Sequence, residues 1–179
     1  MTVMTISVTS AGGRDADELA ALAAATFPLA CPPSTAAADI AAFIATHLSA
    51  QRFRECLEDP DRVVLIANDD GRIVGYTMLV RGIGDDPDIA RAVTRRPAVE
   101  VSKMYVAASH HSSGTAAALM QAAISWAAGD GAASVWLGVN QNNQRAQWFY
   151  RKHGFEVVGS RTFALGSALE DDFVMLRPL

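Results

Sequence analysis

Apolar positions along the chain change period several times, and each change marks an element. Residues 3–8 alternate as a short strand, and "RDADELAALAAATF" then places leucine, alanine and phenylalanine at helical spacing behind an acidic first turn. Three prolines in "PLACPPSTAAAD" interrupt regular structure. Beyond them Ile40, Phe43, Ile44, His47 and Leu48 recur on one face, predicting a second helix that continues toward Leu57. Two β-branched runs, "RVVLIAN" and "RIVGYTMLVRG", flank Asp69, Asp70 and Gly71, and that turn chemistry predicts an antiparallel hairpin. The polar stretch "IGDDPDIARAVTRRP" predicts a surface loop before the strand "AVEVSKMYVA".

In the second half, Ala116, Leu119, Met120, Ala123, Ile124 and Ala127 form one helical stripe that needs a sheet to pack against. "GDG" stops that helix, and "SVWLGV" reads as a buried strand. Asn143 occupies an N-cap position and Gly154 the left-handed stop of a last helix. "FEVVGSRTF" and "DFVMLRPL" supply two closing strands separated by "ALGSALED". No internal repeat appears.

Composition narrows the classes. With 179 residues, 50% hydrophobic and 19% charged, the chain is expected to be a single globular domain, 1–179. A net charge of -4 gives no footprint for a nucleic-acid backbone. No apolar run approaches the ~18–20 residues of a membrane span, and the first residues lack a basic start with a long apolar core, so the expectation is a cytoplasmic protein with no membrane partner. Cys31 and Cys56 lack metal-ligand spacing, and no metal cluster, Ser-His-Asp order or nucleotide-hydrolysis motif is legible.

The chemistry concentrates at "VAASHHSSGTAAALM", where a strand turns through one glycine into an alanine-rich helix. Such a junction leaves backbone N–H groups pointing outward at the positive end of a helix dipole, an anion cradle. Gly114 permits close approach of the backbone, and Ala116 keeps the space clear. A single glycine before a helix is more often an ordinary turn, so the junction alone decides nothing. Downstream, "VNQNNQRAQWFYRKHGF" places Asn143, Ala146, Phe149, Tyr150, Gly154 and Phe155 in the order N-x-x-A-x-x-F-Y-x-x-x-G-F.

Together these two motifs resemble the GNAT superfamily of acyl-CoA-dependent N-acetyltransferases, whose pyrophosphate loop reads [QR]-x-x-G-x-[GA]. Here that loop is His111-Ser112-Ser113-Gly114-Thr115-Ala116, with histidine in place of the usual arginine or glutamine. The ending of the chain also looks like the PaiA-type spermidine/spermine N-acetyltransferases. The resemblance implies an α/β (α+β) fold: a central mixed, mostly antiparallel sheet, splayed in the middle and flanked by about four helices. It implies acetyl-CoA as cosubstrate, no metal, a small-molecule amine as partner, and a sheet that in this family often pairs as a homodimer.

Met104, Tyr105 and Val106 are then expected along the cofactor arm, with His111, Ser112, Ser113, Gly114, Thr115 and Ala116 at the pyrophosphate. Asn143, Ala146 and Phe149 are expected against the pantetheine. Tyr150 occupies the general-acid position. Glu100 resembles the family's general base, on the same strand parity as residues 102, 104 and 106. The chemistry requires both, because an amine with a pKa of roughly 10.4 must lose a proton before attack and a thiolate must gain one on leaving. A backbone N–H near Val106 is placed to stabilise the oxyanion. The acceptor stays open between a polyamine-like amine, other small amines and a protein amino group. Asp85, Asp86, Asp88, Glu55, Glu58 and Asp171 are acidic candidates for a polyamine, opposed by Arg91, Arg95 and Arg96. A non-catalytic acyl-CoA sensor is the alternative from another class. His47, His153 and the three tryptophans read as packing or surface.

Overall fold

A computed structural model describes residues 5–179, apart from the side chains of Phe163 and Leu165. Seven strands form one sheet in the order β1-β2-β3-β4-β5-β7-β6. They are β1 (Ser7–Ser10), β2 (Arg62–Asp69), β3 (Arg72–Arg81), β4 (Ala98–Val106), β5 (Ser134–Asn140), β6 (Glu156–Leu165) and β7 (Ala168–Pro178). The helices are α1 (Ala16–Ala30), α2 (Ala37–His47), α3 (Ala50–Glu58), α4 (Pro87–Ala92), α5 (Thr115–Gly129) and α6 (Gln144–Lys152). Residues 3 and 4 of the expected first strand lie outside the described residues. Among those described, no helix is long and apolar enough to cross a membrane.

The chain forms two compact units, each drawn from two stretches. One takes the chain through Leu79 together with Lys103–Ala123. Its β2–β3 hairpin turns on Asp70 and Gly71 at φ 49° and 78°, two consecutive left-handed residues, as a type I′ turn requires. The second predicted helix is in fact two. Ser49 Oγ accepts from Arg52 N at 3.2 Å and starts α3 afresh, while Leu48 before it is buried. Helix α5 buries Leu119, Met120 and Ala123. Gly75 on β3 lets this helix come close: a Cβ there would lie 3.0 Å from Leu119 Cδ1 and 3.2 Å from the Tyr105 carbonyl.

The other unit takes Val80–Ser102 with Ile124–Leu179. Here β4 and β5 pair in parallel over Ala98–Glu100 and Ser134–Trp136, β5 pairs antiparallel with β7, and β6 with β7. "ALGSALED" is strand rather than a separating loop, except for a tight turn at Gly166-Ser167. The expected surface loop likewise contains α4. Asp86 caps it by accepting from Asp88 N, and Pro87 opens it. Ile89 of this helix and Val93 just after it pack with Ala98, Trp136, Val174 and Leu176 as the core of that sheet face. The two thiols, Cys31 and Cys56, are free.

Candidate active site

In the first unit, β4 ends at Val106 and the chain turns through a single 3-10 turn, Ala108–His110, into α5. Ala107 N donates to Val74 O at 2.8 Å, fixing the end of β4 against β3. Successive N–H groups of a strand alternate between its edges, so the N–H and carbonyl of Val106 face away from β3. Ser112 at φ 65° and Gly114 at φ 84° then reverse the backbone, and Ala118 N makes the first helical bond to Gly114 O at 3.0 Å. The first turn of α5 has no acidic residue, so its unpaired N–H groups carry the helix's positive end undiminished.

Two hydroxyls of this loop are already engaged within it. Ser113 Oγ donates to His110 O and meets Thr115 Oγ1 at 2.7 Å. Thr115 itself is fully buried. An anion at this turn would meet backbone amides more than hydroxyls. His111 Nε2 donates to Val106 O at 3.0 Å, so the ring closes back on β4. Its neighbour plays a part that sequence reasoning missed. His110 Nε2 lies 2.8 Å from Asp69 Oδ2 while its Nδ1 meets Ser109 Oγ at 2.8 Å, tying the loop to the β2–β3 turn. Asp69 is 41 residues away in sequence, and only the folded hairpin brings the two together.

Of the strand residues, Tyr105 packs on Phe27 and Tyr76, whereas Met104 and Val106 join Leu119 and Val74. Glu100 belongs to the other unit, half-buried beside Trp136 in the β4–β5 register.

Helix α6 in the second unit is held by side chains that read its first turn. Asn143 Oδ1 accepts from Ala146 N at 3.1 Å, the expected cap. Buried Gln147 donates to Asn140 O at 3.1 Å and Gln141 O at 3.0 Å, latching the helix to the end of β5. No sequence motif singled out Gln147, because a polar residue on a short helix reads as surface. Phe149 and Tyr150 meet edge to face at 5.6 Å, and Tyr150 also lies against Phe155. Tyr150 keeps part of its surface accessible, yet desolvation pushes its phenol up to about 12. Burial, then the Lys152 and Arg177 charges, hold His153 below the usual imidazole range, consistent with a packing role.

The GNAT acetyltransferase family model matches residues 23–155, spanning both the loop and α6. The chain belongs to the GNAT family. An uncharacterized N-acetyltransferase of Mycobacterium tuberculosis is 55% identical over 165 residues, covering 92% of this acetyltransferase and 98% of the relative. Among solved structures, PaiA N-acetyltransferase from Thermoplasma acidophilum in complex with coenzyme A has a TM-score of 0.77 at 18% identity, covering 98% of this chain and 100% of that one. Ribosomal-protein-alanine N-acetyltransferase from Brucella melitensis has a TM-score of 0.72 at 19% identity, over 97% and 99%. At such identities these two show the GNAT fold and nothing of the acceptor.

Proposed function

We propose that this GNAT protein transfers acetyl from acetyl-CoA to the primary amine of a small molecule, by direct attack in a ternary complex without a covalent enzyme intermediate. The observation that carries the reading is the turn from β4 to α5, where Ser112 and Gly114 hold left-handed backbone immediately before a helix N-terminus free of acidic residues. That turn fits a pyrophosphate through backbone amides, with His111, Ser112, Ser113, Gly114, Thr115 and Ala116 as its frame.

Bound acetyl-CoA supplies an activated acyl thioester. In this reading Met104, Tyr105 and Val106 line its arm, and the Val106 N–H donates to the carbonyl oxygen that gains charge. Asn143, Ala146 and Phe149 border the pantetheine. Glu100 accepts a proton from the acceptor's ammonium, directly or through water, leaving a neutral nitrogen to attack. Tyr150 donates its phenolic proton to the leaving sulfur as the C–S bond breaks, and the second proton, shed by the nitrogen once the C–N bond has formed, restores the phenol through solvent. Because its pKa lies near 12, above a thiol's ordinary ~8.5, this transfer is coupled to C–S cleavage rather than preceding it.

A thiol-release assay with acetyl-CoA across a panel of primary amines and peptides tests the proposal. Free CoA matched by N-acetyl product from small amines is the expected result. Release only with peptides bearing a free amino terminus would reassign the acceptor. Binding of acetyl-CoA without release from any amine would favour a sensor, the reading motivated by the absence of arginine or glutamine at residue 111.

A further inference from the structure

We infer that Arg161 anchors an anionic group of the acceptor, so that the amine acetylated here carries a carboxylate a few atoms from its nitrogen. This rests on the transfer reading above and names the class of its acceptor.

Arg161 leaves β6 opposite Asp172 of β7, which in turn stands opposite Asn140 of β5. Its guanidinium does not stay over β6. It lies on Gly138 of β5, where a Cβ would fall 2.8 Å from the guanidinium carbon and 3.0 Å from Nε. With strands ~4.8 Å apart, the side chain crosses about 10 Å of sheet to get there. Any residue larger than glycine at 138 would displace it. The Trp136 ring, fixed by its Nε1–H bond to Gly82 O at 3.0 Å, faces the cation at 5.8 Å. The arginine is thus laid flat and held by its surroundings.

It is nevertheless incompletely satisfied. Buried Arg161 Nε reaches a carboxylate only at Asp172 Oδ2, 3.5 Å away, an ion pair at the outer limit of a hydrogen bond. Asp172 is almost fully buried, and desolvation raises its carboxyl above the usual range despite the Arg161 charge beside it. A pair built only for stability would close into a shorter, forked contact, and buried donors normally find acceptors. This pair is instead long and made through Nε alone, which leaves the rest of the planar cation for a second carboxylate.

Its position relative to Glu100 selects the ligand. Glu100 pairs in register with Trp136, so it shares that sheet face, one strand from Gly138 and two residues along. A strand spacing of ~4.8 Å and a two-residue rise of ~6.6 Å put the two backbone positions about 8 Å apart. A short amino acid can place its nitrogen at one and its carboxylate at the other. A polyamine would set its second ammonium against the guanidinium. Three of the acidic residues expected to hold one are already engaged: Asp86 caps α4, Asp88 pairs with Arg91, and Glu55 pairs with Arg52.

The test compares glycine, β-alanine and 4-aminobutyrate with their carboxamides, and with spermidine, as acceptors in the thiol-release assay. At least one acid should exceed its amide by about 10- to 100-fold in kcat/KM. Arg161→Met should collapse that ratio to within about threefold through the KM of the acid, while the KM for acetyl-CoA holds; Arg161→Lys should retain part of it. Because Arg161→Met leaves Asp172 buried alone, the double variant Arg161→Met with Asp172→Asn should show the same collapse in a stably folded protein. Equal use of acid and amide by the wild type, a ratio that survives Arg161→Met in both backgrounds, or spermidine as the preferred acceptor would overturn the inference. No release from any amine would overturn the transfer reading itself, a result distinct from turnover without acid preference.

Discussion

His111 Nε2 donates to the carbonyl of Val106 at 3.0 Å, closing the loop after β4 back onto the last residue of the strand. The ring therefore helps to shape the turn proposed above to hold a pyrophosphate through backbone amides. His111→Ala should weaken CoA binding by about 3- to 10-fold, the range of one neutral hydrogen bond. Titration calorimetry with CoA checks this. Unchanged affinity would show that the turn holds its shape without the ring.

The His110–Asp69 contact tethers the same loop from the other side, with side chains only 12% and 22% exposed. Asp69→Ala should lower unfolding stability by about 1–2 kcal/mol, and Asp69→Asn by less, because the amide still offers an acceptor. Urea unfolding of the three proteins measures both. Equal stabilities would mean that the pair contributes nothing to the fold.

Much of this architecture was legible because local signals agreed with the packing. Asp70-Gly71 dictated the hairpin, the apolar stripe of α5 met its sheet, and Asn143 capped α6 where expected. The misses have physical causes. Ser49 caps a fresh helix beside buried Leu48, and one continuous apolar stripe hides that break. Asp86-Pro87 looked like loop because its helix is too short to show a period. The His110–Asp69 and Arg161–Gly138 relationships join residues distant in sequence, and no local pattern encodes them.

Tyr150→Phe should keep CoA binding and lower kcat by about 100-fold. Desolvation favours the neutral phenol, so the folded pKa near 12 exceeds the ordinary ~10. The stabilisation of that form is complete below about pH 10 and lost as pH rises toward 12. A pH–rate profile should accordingly show no descending limb from Tyr150 below about pH 10. Wild-type turnover in the phenylalanine variant would remove Tyr150 from the mechanism.

Glu100→Gln should lose most activity near neutral pH and recover part of it toward about pH 10, where more of the acceptor is already unprotonated. The ratio of variant to wild-type rate, followed from about pH 6 upward, is the informative quantity. A flat ratio would show that Glu100 does not take the proton.

Direct transfer is most simply tested by mixing the protein with acetyl-labelled acetyl-CoA, first without and then with a primary amine that supports thiol release, and following the label. Direct transfer leaves no label on the protein in the absence of amine, and yields N-acetyl product equal to the CoA released in its presence. Label retained covalently on the chain and passed on to the amine, or acetyl-CoA bound with no product from any amine, would contradict it.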